Sequence, residues 1–231
     1  MKFESLNNTS PENSLEKKQK LWDEKMAQLL VPDKYGYVLD EGMRQPVIAL
    51  NLLGINTVQS DQGNYSERPW IEFGAKFPTD VYVGERELKQ ILLKEQGFNP
   101  LVMDESSPLF DRAKQVEIEH EARKQLSSAG YTPEFEMWRS ETANMIAKLT
   151  SLISEFNQTR PKEEVGQSEV VIDFPYRDPK YDPYISEVPF VETRLRDQRS
   201  INPEDIFKIL ESNREEMRRF GEFLKRKFFS G

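Results

Sequence analysis

Residues 57–64 concentrate the side chains of this chain that are best suited to chemistry or to ligand binding. They comprise two hydroxyls, a carboxylate and two amides: Thr57, Ser60, Asp61, Gln62 and Asn64. Gly63 lies among them, and a glycine lets a ligand approach the main chain closely. The same residue types are also typical of an ordinary Asx-type turn between two strands. The pattern therefore predicts either a binding site or a structural turn.

Charged side chains on either side of this segment form a second candidate group, made up of Asp40, Glu41, Arg44 and Glu72. If the acids among them converge with Asp61, they form a carboxylate cluster suited to a divalent cation or to general acid–base work. The acids at 40 and 41 also precede an apolar helix, and a helix N-terminus favours negative charge. Both interpretations stay open from the sequence.

The composition excludes several kinds of site. The chain has no cysteine and a single histidine, His120, which excludes disulfides, thiolate zinc sites, cysteine nucleophiles and multi-histidine metal centres. His120 stands between two glutamates on a charged helix, which is typical of a surface residue. A glycine-rich phosphate loop, a nucleophile elbow and a dinucleotide fingerprint are all absent. We therefore assign no catalytic residue and expect no bound metal or cofactor.

Charge and hydropathy point away from nucleic acid and from membranes. The formal net charge is -8, whereas non-specific phosphate binding needs a positive field. The chain has no apolar run near the roughly 20 residues of a membrane span, and its N-terminal residues lack the apolar core of a signal peptide. We expect a cytoplasmic protein that does not bind nucleic acid or enter a membrane.

The elements around the polar segment follow from local signals. Apolar residues over 47–53 predict a helix with Pro46 in its first turn, where a missing N–H costs nothing. Gly54 follows at the place of a left-handed C-cap. Alternating β-branched residues over 55–60 predict a strand, and residues 70–73 are expected to return as its partner.

The rest of the chain is predominantly helical. Amphipathic patterns and capping residues predict helices over 15–30, 85–96, 107–127 and 133–156 and from 203 to the C-terminus, and strands over 81–83, 98–103, 169–174 and 192–199. In helix 133–156 the apolar residues recur at spacings of three and four: Phe135, Trp138, Met145, Leu149, Leu152 and Phe156, with Thr142 between them. Such a seam predicts burial against another helix, either of this chain, of a protein partner or of a second copy.

These elements together predict an α+β protein with a small, mostly antiparallel sheet packed with several long helices. Residues 1–13 are predicted to be a flexible N-terminal arm, and 14–231 a single domain. Within it, 160–168 has the composition of a polar linker. Prolines and tyrosines over 175–190 predict a long loop that cannot be a helix.

The run Gly54-Ile55-Asn56-Thr57-Val58-Gln59-Ser60, with the residues just before and after it, resembles a diffuse group of uncharacterised bacterial and phage proteins. Their motif is Gly-Ile-x-Thr-x-x-Ser-Cys-x-Gly-His, and the resemblance covers about residues 39–73. Asp61 and Asn64 stand where the group has cysteine and histidine, so a thiolate or imidazole role does not carry over. The resemblance implies the helix–strand–turn–strand geometry and no specific activity.

Two functions from different classes follow. The first is a non-enzymatic binding or interaction protein with a polar pocket at the Ser60–Asn64 turn. Helix 133–156 of such a protein could contact a protein partner or a second copy of the chain. The second is a small metal-assisted hydrolase that uses carboxylates around Asp61. Convergence of the carboxylates in a cleft would favour the hydrolase, and their dispersal would favour the binding protein.

Overall fold

The computed structural model describes residues 11–32, 36, 38–63, 68–104, 106–159, 168–173, 189–195 and 205–231. The helices within these residues are α1 Pro11–Leu29, α2 Glu41–Leu52, α3 Glu85–Glu95, α4 Arg112–Gln125, α5 Pro133–Thr159 and α6 Ile206–Ser230, with a 3-10 turn at Pro100–Met103. The strands are β1 Thr57–Asp61, β2 Trp70–Phe73, β3 Ser168–Asp173 and β4 Phe190–Leu195.

The four strands form one sheet in the order β1-β2-β4-β3, and each neighbouring pair is antiparallel. A register shift between Thr57 and Gln59 leaves an extra residue in β1 opposite β2, which bends that edge strand. The described residues combine this small antiparallel sheet with six helices, so the predicted α+β class is confirmed.

The described residues fall into two compact units along the chain. The first comprises 1–73, 147–173 and 190–231, and the second comprises 74–146 and 174–189. The first therefore contains the whole sheet with α1, α2 and α6, while the second contains α3, α4 and the 3-10 turn. Helix α5 contributes its first half to the second unit and its second half to the first.

The core of the first unit lies where α6 packs against β3, β4 and α2. The buried strand residues include Ile71 of β2, Val170 of β3 and Val191 of β4, whereas β1 has no buried residue. Met217, Phe220 and Leu224 recur along the facing side of α6 and are at most 1% exposed. The helix is thus amphipathic in the way its sequence predicts, and its opposite side is left to carry charge.

Helix α2 begins at Glu41, so the prediction that Pro46 lies in its first turn is wrong. Pro46 is inside the helix and buried, where proline removes one helical hydrogen bond. A side-chain carbon on Gly221 of α6 would lie only 2.9 Å from Cδ of Pro46. Because Gly221 has no side chain, the ring of Pro46 can pack directly against α6 at this point. No local sequence pattern predicts this contact.

The end of α2 is as predicted. Gly54 has φ of 77°, in the left-handed region, and its N–H donates to the carbonyl of Asn51 at 2.9 Å. The N–H of Ile55 donates to the carbonyl of Leu50, also at 2.9 Å. These two bonds make a Schellman motif, which turns the chain from α2 towards β1.

The second unit has two small apolar clusters and a buried carboxylate. Leu92 and Leu93 of α3 pack with Ile118 and Ala122 of α4. Glu85 is fully buried, accepts hydrogen bonds from the main-chain N–H groups of 81 and 82, and pairs with two cations. A buried charge is tolerated only when paired in this way, so Glu85 fixes the loop before α3. An aromatic cluster joins Phe77, Tyr131, Phe135 and Trp138.

Two predicted strands of this unit are not strands. Over 81–83 only Tyr82 makes a bridge, to Tyr131, because the Glu85 carboxylate takes the N–H groups of Val81 and Tyr82. Over 98–103 the chain forms the 3-10 turn: the Asn99 side chain accepts from the N–H of Leu101 at 3.0 Å, and a proline follows the cap. In both places a side chain supplies the bond that a neighbouring strand would have supplied.

Most of the α5 seam is buried, as its spacing predicts, whereas Leu152 is only half-buried. Phe135, Trp138, Thr142, Met145, Leu149 and Phe156 are each at most 8% exposed. In the first unit Phe156 packs on Phe220 and Phe223 of α6. In the second unit Phe135 and Trp138 both pack on Phe77, and Nε1 of Trp138 donates to the carbonyl of Ala75 at 3.0 Å. The seam therefore meets a helix at one end and loop residues at the other.

Other boundaries differ from the predictions by up to five residues. Helix α1 begins at Pro11, before the predicted cap at Ser14, since proline suits a first helical position. Helix α4 begins at Arg112 because the Asp111 side chain caps the N–H of Lys114. Residues 1–10, 160–167 and 174–188 lie outside the described residues, so most of the predicted arm, linker and loop are not described. Ser168 and Phe190, at the ends of the predicted linker and loop, already belong to β3 and β4.

Candidate functional site

A pocket of about 260 Å³ opens beside the turn that follows β1. All of its lining residues belong to the first unit. They come from the first turn of α2, from the chain around β1 and β2, and from the charged side of α6: Gly42, Met43, Gln62, Pro69, Glu211, Arg214, Glu215, Met217 and Arg218. Its walls therefore combine buried methionine and proline side chains with guanidinium and carboxylate groups.

Two carboxylates stabilise the turn that carries Gln62, one from within the turn and one from the start of α2. Oδ1 of Asp61 accepts a hydrogen bond from the N–H of Gly63 at 2.6 Å, and the φ of Gly63 is 77°. This is an Asx turn with a residue in the left-handed region, which favours glycine. From the α2 side, the Asp40 carboxylate accepts from the N–H of Gln62 at 3.4 Å. Both interpretations of the segment thus have a basis, since a structural Asx turn also forms one wall of a pocket.

Arg214 fastens α6 to the same turn. Its Nε donates to the carbonyl of Gln62 at 3.3 Å, and its Nη2 donates to the carbonyl of Gly63. Within the described part of the chain these two carbonyls are its only acceptors, so its positive charge meets no carboxylate there. Arg214 thus lies at the pocket, where the groups that balance its charge among the described residues are main-chain dipoles.

The neighbouring charges on α6 are paired among themselves. Glu215 accepts two hydrogen bonds from Arg218, each at 2.7 Å, and one from Arg219 at 2.9 Å. Arg218 also bonds to Glu222 one turn later. The hydrogen bonds from Arg218, with a further contribution from Arg219, lower the pKa of Glu215 to about 2. Glu215 is therefore ionised and hydrogen-bonded to Arg218 and Arg219, and it is not poised for acid–base catalysis near neutral pH.

The two hydroxyls predicted for the site do not line the pocket. Oγ1 of Thr57 accepts from the side-chain amide of Asn51 at 2.8 Å, a contact that ties β1 to α2. Ser60 lies opposite Ile71 in the sheet and is half-buried. Neither residue lines the pocket. Of the predicted turn residues, Gln62 alone is on the pocket wall, while Asn64 lies outside the described residues.

The charged candidates are not brought together into one cluster. Glu41 is exposed in the first turn of α2, and Nε of Arg44 donates to the carbonyl of Leu39 at 3.1 Å. Glu72 is half-buried in β2, opposite Gln59. Among the residues that the structure describes, no group of three or more acidic or histidine side chains is placed to hold a metal ion. The carboxylate cluster needed by the hydrolase alternative is therefore not found there.

The sequence missed the α6 side of the pocket. Glu211, Arg214 and Arg218 follow at three and four residues and so share one side of the helix. This spacing can be read from the sequence, but charged residues at such spacing are equally typical of any solvated helix surface. Only the fold shows that the turn after β1 lies against them.

Comparisons with known proteins add no relative. No protein-family model matches the chain, and no curated protein or solved structure matches it. The resemblance over residues 39–73 therefore stays a prediction. In the described part of the chain, the helices are either too short or too polar to cross a membrane.

Proposed function

We propose that this chain is a non-enzymatic binding protein and that the pocket beside Gln62 is its ligand site. The observation that carries the proposal is the pocket itself, in which apolar walls and unmatched charges meet in one concave place. Ligand sites have this composition: mostly apolar surface with a few polar groups that fix orientation. The proposal includes the cytoplasmic location that the sequence predicts.

The size of the pocket limits its ligand. A cavity of about 260 Å³ lies below the roughly 300–1,000 Å³ of sites for drug-sized molecules. It suits a compact small molecule rather than a nucleotide or a large cofactor. Met43 and Met217 are each 1% exposed, and methionine adapts its shape to an apolar ligand at little cost.

A protein partner that meets helix 133–156 is a separate part of the proposal. Its apolar seam is already buried within the chain, so a partner would have to meet the polar side of the helix.

The test of the ligand site uses Gly42, which lines the pocket in the first turn of α2. A side-chain carbon there would lie 3.4 Å from Oε1 of Gln62, an ordinary contact. Gly42→Leu should fill the pocket while the helix is retained, and Gly42→Ala is the matched control with the same gain in helix propensity. Ligand-observed NMR with a collection of compact acids, amines, zwitterions and neutral apolar compounds should find ligands that Gly42→Ala keeps and Gly42→Leu loses. Ligands that bind both variants equally, or no ligand of any class, would contradict the proposal.

A further inference from the structure

The charged groups of the pocket fall into two kinds. Glu215 and Arg218 satisfy one another through two hydrogen bonds and are further paired on the same helix. Arg214 and Glu211 are different. Within the described residues Arg214 bonds only to main-chain carbonyls, and the Glu211 carboxylate has no described partner although it lines the same pocket. One cation and one anion thus border the cavity, and neither has a charged partner within ion-pair distance among the described residues.

The arrangement of these two groups is fixed by α6. Residues three apart on a helix lie about one turn from each other on the same side, so the two charges stand next to one another along one wall. Nε and Nη2 of Arg214 are committed to the turn after β1, which orients its guanidinium plane. The N–H groups of Nη1 remain without an acceptor in the described residues, and a charged N–H donor of this kind makes a strong hydrogen bond to a carboxylate.

The apolar part of the pocket lies beside these charges. Met43 from α2 and Met217 from α6 both line it and are buried. A molecule that satisfies the whole pocket needs three features together: an anionic group for Arg214, a cationic group for Glu211 and a compact apolar body for the methionines. Glu211 and Arg214 are both exposed, so a ligand with only one charge leaves the other group in water and gains one charged contact instead of two.

We propose that the ligand is a small zwitterion with an apolar side chain, in the class of an aliphatic α-amino acid. Its carboxylate is received by Arg214, its ammonium by Glu211, and its side chain lies between Met43 and Met217. This inference rests on the proposed binding function and specifies the ligand class of the same pocket.

Three related probes separate the contributions of the ligand's charges. L-Leucine carries both charges, N-acetyl-L-leucine lacks the ammonium, and L-leucinamide lacks the carboxylate. Calorimetric titration of the full chain should show binding of L-leucine, with each single-charge probe weaker by about tenfold or more, the value of a lost hydrogen bond to a charged group. Equal binding of leucinamide or N-acetyl-leucine would overturn the inference, as would the absence of binding by all three.

Variants assign the two charges to their residues. Glu211→Gln should weaken L-leucine without changing the affinity for N-acetyl-leucine, and Arg214→Lys should weaken L-leucine while keeping a positive charge at the site. Arg226→Gln removes a positive charge elsewhere on α6 and should leave binding unchanged. The inference is overturned if L-leucine binds Glu211→Gln or Arg214→Lys as tightly as the natural chain. If neutral or cationic compounds bind and are blocked by Gly42→Leu while L-leucine does not bind, the ligand class is wrong and the binding function stands.

Discussion

Glu215 shows how single residues set the electrostatics of the pocket. The hydrogen bonds from Arg218, followed by those from Arg219, lower its pKa from 4.5 to about 2. Because the pKa in the folded state is below that in the unfolded state, ionised Glu215 stabilises the fold above about pH 4.5, and this is lost as the pH falls towards 2. The side chain is 42% exposed, so solvent screening keeps the effect small, below about 1 kcal/mol.

This gives a pH-dependent prediction. Glu215→Gln should lower the free energy of unfolding slightly at pH 6, because it removes the ion pairs with Arg218 and Arg219. The difference between the natural chain and the variant should shrink as the pH is lowered from 4.5 towards 2. Urea unfolding at several pH values measures it. A difference that grows on acidification would show that the ion pairs do not stabilise the folded state.

Gly54 is the residue whose conformation the sequence predicted best. A side-chain carbon there would lie 3.6 Å from Nζ of Lys148, an ordinary contact, so the cost of alanine comes from φ of 77° rather than from crowding. We expect Gly54→Ala to destabilise the chain by about 1 kcal/mol or more. Gly42→Ala, at a helical glycine, should instead stabilise by about 0.5–1 kcal/mol. Thermal unfolding compares the two, and a stabilising Gly54→Ala would contradict the account.

At the scale of elements, the contact between α2 and α6 positions two walls of the pocket. Gly221→Ala would place a side-chain carbon 2.9 Å from Cδ and 3.1 Å from the nitrogen of Pro46. Overpacking of this kind costs about 1–3 kcal/mol, which exceeds the gain of about 0.5–1 kcal/mol that alanine brings to a helix. The net result should be destabilisation.

A double-mutant cycle isolates that contact. In a Pro46→Ala background the close approach to Cδ is gone, so Gly221→Ala should cost clearly less than in the natural chain. Denaturant unfolding of the four proteins gives the interaction free energy. If the cost of Gly221→Ala is the same in both backgrounds, the close packing of proline and glycine does not hold these helices together.

The elements also show where sequence patterns are sufficient and where they are not. The Schellman turn at Gly54 and the seam of α5 follow from neighbouring residues, and both were predicted. The start of α2 was not, because Pro46 is accommodated by Gly221, which is remote in the sequence. The strands predicted over 81–83 and 98–103 do not form, because the side chains of Glu85 and Asn99 accept hydrogen bonds from main-chain N–H groups there. β-Propensity alone does not predict such bonds.

At the scale of the whole molecule, helix α5 allows the prediction of a single domain to be tested. Leu149 is fully buried in the first unit and Trp138 is 3% exposed in the second. Alanine at either position should destabilise the protein by roughly 2–5 kcal/mol. If the chain is a single domain, calorimetry should show one unfolding transition, and both variants should lower its midpoint temperature. Met137→Ala, at a side chain that is 58% exposed, is the control and should change stability by less than about 0.5 kcal/mol. Two separate transitions, each moved by one variant, would contradict the prediction.

The pocket is formed by segments of the first unit that lie far apart in the sequence rather than by any one segment. The sequence identified Gln62 and the turn around it, but the cation that meets this turn is Arg214, 152 residues further along. No local pattern pairs residues at that distance, and the charges of α6 resemble those of any solvated helix. The candidate site could therefore be predicted on one wall only.

The central claim is that a small ligand binds between Met43 and Met217, and methionine methyl NMR tests it most directly. The chain has 7 methionines, and Met137 is far more exposed than the two on the pocket wall, so it reports non-specific contact. Pools of compact acids, amines, zwitterions and neutral compounds would be added to protein labelled at the methionine methyl groups. We expect at least one pool to shift the Met43 and Met217 signals together, saturably, and to leave the Met137 signal unmoved. If every pool leaves both pocket signals unchanged, or shifts Met137 more than either of them, the pocket is not a ligand site.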